Sequence, residues 1–164
     1  MPEVPTIEKL RINIAGCEHP REEAVRVMYD LQCHYGYLSD EAVQVAADLL
    51  GMTTLEVEEL ATFYDFIYRK PVGKYVIHVC DGVVCWMYHE NTMFDYLCQK
   101  LGVGPGEVTP DGMFTVLPTE CVGYCEHAPA LLINGKHYGP MNWEKVDQLL
   151  EELRSMDGQM VVDR

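Results

Sequence analysis

The chain has 164 residues, 48% hydrophobic and 23% charged, long enough for one good core or for two small packed units. Its 26 Asp and Glu against 12 Lys and Arg give a formal charge of −14, which repels nucleic acid and anionic lipid and argues against both as partners. No run approaches the roughly 20 apolar residues of a membrane span; Val83 to Tyr88 is among the longest, so any association with a membrane is expected through a partner and without direct insertion.

Near the start, Ile14-Ala15-Gly16-Cys17 spells a lipoprotein cleavage box. Glu3, Glu8, Lys9, Arg11 and Asn13 interrupt what should be its apolar lead, so no lipid anchor is expected. No Arg- and Ser-rich, acid-poor presequence is visible, and the expectation is a bacterial cytosolic product or a mature chain. After Pro20, the spacing of Ala24, Val27, Met28 and Leu31 predicts a helix that stops near Gly36. Ser39 followed by Asp40 and Glu41 starts a second helix, with acids where the helix dipole favours them, and Gly51 ends it. Thr53-x-x-Glu56 is a capping box that opens a third, running through Leu60 towards Tyr64. Residues 1–70 thus read as a bundle of three or four helices.

Pro71-Val72-Gly73 is the expected hinge into a second domain at 74–154, followed by a loose tail at 155–164. Lys74 to Val79 reads as a strand with Tyr75, Ile77 and Val79 on one face and Lys74, Val76 and His78 on the other. Asn91 to Leu101 is a helix carrying Met93, Phe94, Leu97 and Leu101; Gly102 to Gly112 is turn-rich; Met113 to Pro118 is a second strand. Ala130–Ile133 and Lys136–Gly139 flank Asn134-Gly135, a strong hairpin signal. Asn142 caps a last helix with Trp143, Val146, Leu149, Leu150 and Leu153 as its buried stripe. Strand, helix, three strands and helix describe an α/β, thioredoxin-like domain whose first two strands run parallel. Pro129 stands directly before the third strand, where such folds tend to carry a cis proline, so a cis Ala128–Pro129 bond is expected.

Seven cysteines are an odd number, which argues for reduced thiols rather than a disulfide framework. Cys33 and Cys98 lie in helical patterns as small core hydrophobes, and Cys17 has no partner at ligand spacing. The other four form two pairs, Cys80-x4-Cys85 and Cys121-x3-Cys125, with 35 residues between them. Parallel strand order places Cys80 and Cys121 at the same sheet edge, where four thiolates suit one soft metal centre. Neither pair has the Cys-x-x-Cys spacing of a dithiol oxidoreductase. A structural zinc site has compatible spacing, although a sheet with its own core does not need zinc to fold. A [2Fe–2S] cluster fits better, because each iron takes two thiolates and each pair supplies one iron. A Rieske centre would need His ligands; Cys125-Glu126-His127 supplies one such pair and nothing supplies another, so His78, His89 and His127 are read as partly exposed or hydrogen-bonded. The loops around the cysteines read as small and flexible. Gly82 and Gly123 are expected to bring backbone N–H groups near sulfur, and Val83, Val84 and Val122 to bury the centre.

Ala61-Thr62-Phe63-Tyr64, Lys70-Pro71-Val72-Gly73-Lys74-Tyr75, Cys80-Asp81-Gly82-Val83-Val84-Cys85, Cys121-Val122-Gly123-Tyr124-Cys125 and Ala128-Pro129, together with Gln32 and Tyr35-Gly36-Tyr37-Leu38, closely resemble the thioredoxin-like [2Fe–2S] subunit of the NADH-oxidising module of respiratory complex I. The resemblance covers about residues 20 to 154. It implies an N-terminal helical bundle followed by a thioredoxin-like ferredoxin domain, with Cys80, Cys85, Cys121 and Cys125 as ligands of one [2Fe–2S] cluster. It also implies an electron-transfer role without catalysis by the isolated chain. FMN and NADH would be bound by a partner flavoprotein subunit, not by this chain, which lacks a Gly-x-Gly-x-x-Gly fingerprint. Further iron–sulfur subunits of a peripheral arm and a place on the cytoplasmic face of a bacterial inner membrane are implied as well. The same type of subunit serves NAD-linked hydrogenases and formate dehydrogenases. Two departures stand out: Tyr124, where a small residue is common, and Trp86-Met87-Tyr88 after the first pair.

Overall fold

The structure, a computed structural model, describes residues 7–88 and 93–156, and its backbone contacts divide the chain between Pro71 and Val72. The first unit holds α1 (Ile7–Ala15), α2 (Ala24–Tyr35), α3 (Asp40–Leu50) and α4 (Thr54–Phe63), with a 3-10 turn at Pro20–Glu23 before α2. Helix α1 has no clear sequence signal; only Leu10 and Ile14, one turn apart, are buried in a stretch otherwise rich in charge. The other helices start and stop where their caps dictate. The Ser39 hydroxyl accepts from the Ala42 N–H at 3.2 Å. Thr53 and Glu56 form the reciprocal box, with N–H to side-chain distances of 2.8 and 3.2 Å. Gly36 and Gly51 end α2 and α3 at φ 85° and 62°, a left-handed backbone that L side chains resist. Leu10, Val27, Met28, Leu31, Leu38 and Ala46 are among the fully buried residues that these helices share.

Two polar side chains tie down the segment after α4. Gln32, buried, donates to the Phe66 carbonyl at 2.9 Å and accepts from the Tyr68 N–H. Arg69 donates to the Leu38 carbonyl and pairs with Asp40 and Glu58, which hold its guanidinium even more firmly protonated than usual, the Glu58 hydrogen bond being the larger cause.

The second unit is built on a sheet of β1 (Tyr75–Cys80), β2 (Phe114–Thr119), β3 (Leu131–Ile133) and β4 (Lys136–Tyr138), with α5 (Val83–Met87) and α6 (Met93–Leu101) between β1 and β2 and α7 (Trp143–Met156) at the end. Strand order is β2-β1-β3-β4, β1 and β2 parallel and the other pairs antiparallel. This is the topology that the element order implies. Pro118 fits within β2 because β2 is an edge strand, where a missing N–H costs no ladder bond. Asn134 and Gly135 make the β3–β4 turn at φ 46° and 81°. The Asn134 amide also reaches β1, accepting from the Val76 N–H at 3.0 Å and donating to the Lys74 carbonyl at 2.9 Å. Ile77, Leu97, Phe114, Val116, Leu131 and Val146 lie at the centre of this core.

Several expectations need correction. All six residues of β1 are buried, Val76 and His78 included, so the strand does not alternate between core and solvent. A strand in the middle of a sheet can be covered on both faces, and the polar His78 disguises this. Trp143 is 39% exposed and lies over Tyr96 with ring centroids 4.6 Å apart, outside the stripe of Val146, Leu149, Leu150 and Leu153. Helix α7 continues to Met156, past the expected boundary at 154. Asn91, expected to open α6, His89, and the tail from 157 lie outside the described residues. The Ala128–Pro129 bond is cis, as is Gly139–Pro140.

Candidate metal centre

Parallel pairing sets Cys80 of β1 opposite Thr119 of β2, and the Asp81 N–H donates to the Thr119 carbonyl at 2.9 Å. The chain therefore leaves both strands at one edge, towards Gly82 from β1 and towards Cys121 from β2. After Gly82 it turns into α5, a helix of five residues that buries Cys85 on its inner side. After Thr119 it loops through Cys121 and enters a 3-10 turn at Cys125–His127. The expectation of flexible loops around all four cysteines thus fails at Cys85, which a helix holds. Burial by Val83 also fails, since Val83 is 71% exposed.

The four thiols meet. Cys80 and Cys85 pack with Ala130 in a small buried group, against which Val122, Tyr124 and Ala128 lie. Cys121 and Cys125 are exposed, with their sulfurs 3.4 Å apart. The Cys80 thiol is within hydrogen-bonding reach of both Cys85 and Cys121, which joins the two pairs. Burial first, and then the neighbouring Cys80, push the Cys85 thiol up to about 11. The Gly123 N–H, donating to the Cys121 sulfur, holds that thiol below its ordinary value, with Cys125 adding to the effect. Cys125, as the partner of Cys121, is pushed the other way. Such opposed shifts are what close thiols do when only some can ionise at once.

Gly82 is where the two loops touch: a Cβ there would lie 3.0 Å from the Cys121 Cβ and 3.4 Å from its sulfur. Gly139, directly after β4, is more tightly constrained, because a Cβ there would sit on the His127 carbonyl. Both glycines let backbone press against the loop that carries Cys121 and Cys125. Beside the site, Val79, Cys80, Asp81, Trp86, Met93 and Phe94 line an open recess. Trp86, Met87 and Tyr88 are 62–74% exposed. Cys17, Cys33 and Cys98 are half-buried; the Cys17 thiol donates to the Asn13 carbonyl at 3.3 Å.

An all-sulfur donor set is the soft kind that iron–sulfur clusters and zinc prefer. Among the described residues no three His, Cys, Asp or Glu side chains close around a single ion position. A two-iron cluster makes no such demand, since each iron takes its own pair. The residues present fit that group.

The family model of thioredoxin-like [2Fe–2S] ferredoxins matches residues 10–154. The chain is 37% identical over 134 residues to the NADH-quinone oxidoreductase E subunit of Pseudomonas aeruginosa, covering 82% of this chain and 81% of that protein. It is 37% identical over 137 residues to the E subunit of Escherichia coli K12 (84% and 82%) and 35% identical over 130 residues to that of Aquifex aeolicus (79% and 81%). Among solved structures, the NAD+-reducing [NiFe]-hydrogenase in its air-oxidized state is similar with a TM-score of 0.66 at 27% identity, covering 82% of this chain and 24% of that one. This chain therefore belongs to the thioredoxin-like [2Fe–2S] ferredoxins and, among them, to the family of NADH-quinone oxidoreductase E subunits.

Proposed function

We propose that this chain is the electron-transfer subunit of an NADH:quinone oxidoreductase (complex I), and that Cys80, Cys85, Cys121 and Cys125 hold its one [2Fe–2S] cluster. The meeting of the two cysteine pairs at one sheet edge carries this reading. When bound, the cluster supplies a site that takes up and gives back one electron at a time. The protein around it does the rest. Cys80 and Cys85, packed with Ala130 in the small apolar group, would hold it from the buried side. The Gly123 N–H donates to the Cys121 sulfur and stabilises negative charge there.

The electron partner is a flavoprotein subunit that binds FMN and NADH, and further iron–sulfur subunits of the peripheral arm complete the assembly. Hydride chemistry belongs to the flavin, so the isolated chain is not a catalyst. No helix among the described residues is long and apolar enough to cross a membrane, and the chain sits on the cytoplasmic face of the bacterial inner membrane through the complex. Co-expression with the flavoprotein tests this: NADH should reduce the cluster in the pair and leave it oxidised in the isolated chain. Direct reduction by NADH without the flavoprotein would contradict it.

A second reading, the corresponding subunit of a NAD-linked hydrogenase, is favoured by the likeness to the NAD+-reducing [NiFe]-hydrogenase. The proteins that copurify with a tagged chain from its own cells separate the two.

A further inference from the structure

Both thiols of the second pair are exposed, and the loop that carries them meets the buried pair through Val122, Tyr124 and Ala128. Tyr124 is the largest of the three. Its ring stacks on His127 with centroids 4.4 Å apart and planes at 12°, and meets His137 of β4 at 5.2 Å and 38°. His137 adds a second tie, its Nε2 lying 3.1 Å from the Val122 carbonyl. A ring flanked this way by its own loop and by the neighbouring strand cannot swing out without breaking two aromatic contacts.

We infer that Tyr124 is a positioning residue: fastened by His127 and His137, it keeps the Cys121–Cys125 loop closed on Cys80 and Cys85 and limits the access of water to the buried sulfurs of that pair. This rests on the four-cysteine ligand reading. Water at the sulfurs of a cluster stabilises its reduced, more negative form, so the ring holds the potential down as well as slowing loss of the group. The phenolic oxygen has no part in either effect, and phenylalanine should serve as well.

The test uses the full chain reconstituted anaerobically with iron and sulfide, as native protein and as the Tyr124→Phe, Tyr124→Ala and His137→Ala variants. Reduction potential is read by titration followed by electron paramagnetic resonance, and cluster loss by bleaching of the visible bands with an iron chelator. Tyr124→Phe should match the native chain. Tyr124→Ala should bleach several-fold faster and titrate at a more positive potential, with His137→Ala shifted the same way by less. Potentials and bleaching rates that are the same in native protein and Tyr124→Ala would overturn the inference. Should Tyr124→Ala fail to load, His137→Ala decides: faster bleaching supports the role, and native behaviour overturns it. A native chain that takes up no cluster at all would instead overturn the ligand reading itself.

Discussion

Gly82 and Cys121 touch across the sheet edge, with room for no more than a hydrogen at the glycine: a Cβ would lie 3.0 Å from that of Cys121. Gly82 has φ −63°, which any residue adopts, so alanine there is opposed by sterics alone. Gly82→Ala should push the two cysteine loops apart by a few tenths of an ångström. Overpacking of this kind costs about 1–3 kcal/mol in general. Reconstituted protein should hold less iron per chain than native and melt at a lower temperature, both measurable on one preparation.

Gly139→Ala should do more damage, because its Cβ would meet the main-chain carbonyl of His127, which has no rotamer to change. We expect a loss of roughly 2 kcal/mol or more in denaturant unfolding. Gly36→Ala is the control. It has no atom within 4 Å of its Cβ and only the left-handed backbone to resist it, so it should cost about 1 kcal/mol.

Gln32→Leu tests the segment after α4. The change keeps the buried volume but leaves the Phe66 carbonyl and the Tyr68 N–H without the side chain that satisfies them. Each such loss costs about 1–3 kcal/mol, so chemical denaturation should show a fall in stability while iron content stays at the native level.

Thr53→Ala should weaken α4 by about 1 kcal/mol, the usual worth of such a cap. The Thr53 N–H and, after it, the hydroxyl hold the Glu56 carboxyl below its ordinary value; Thr53→Ala keeps the N–H and removes the hydroxyl's share, which is present when the carboxylate is ionised and is lost as pH falls through its lowered range. The stability difference between native protein and Thr53→Ala should therefore shrink on acidification below about pH 4, as followed by circular dichroism.

Local signals with one structural meaning are legible in the sequence. The Thr53–Glu56 box, the Ser39 cap and the Asn134-Gly135 turn stand where the sequence places them, because each depends only on neighbouring residues. The return of Cys121 to the edge holding Cys80 is legible too, since a helical crossover between adjacent strands forces parallel order. What depends on distant packing is not. Val76 and His78 look solvent-facing by alternation, yet both are buried. Helix α5 is too short for helical periodicity, so Val83 to Tyr88 reads only as an apolar run, while Val83, Trp86, Met87 and Tyr88 stand in solvent. The contacts that pin Tyr124 join residues 124 and 137 through strand pairing, and no motif announces them.

The most direct measurement is iron and acid-labile sulfide per chain in anaerobically isolated protein, comparing native with Cys121→Ala and Cys98→Ala. Cys80, Cys85, Cys121 and Cys125 as the ligand set require about two iron and two sulfide per chain in the native and Cys98→Ala proteins and near none in Cys121→Ala. A colourless native protein with stoichiometric zinc, or a Cys121→Ala variant that keeps its full iron and sulfide, would contradict it.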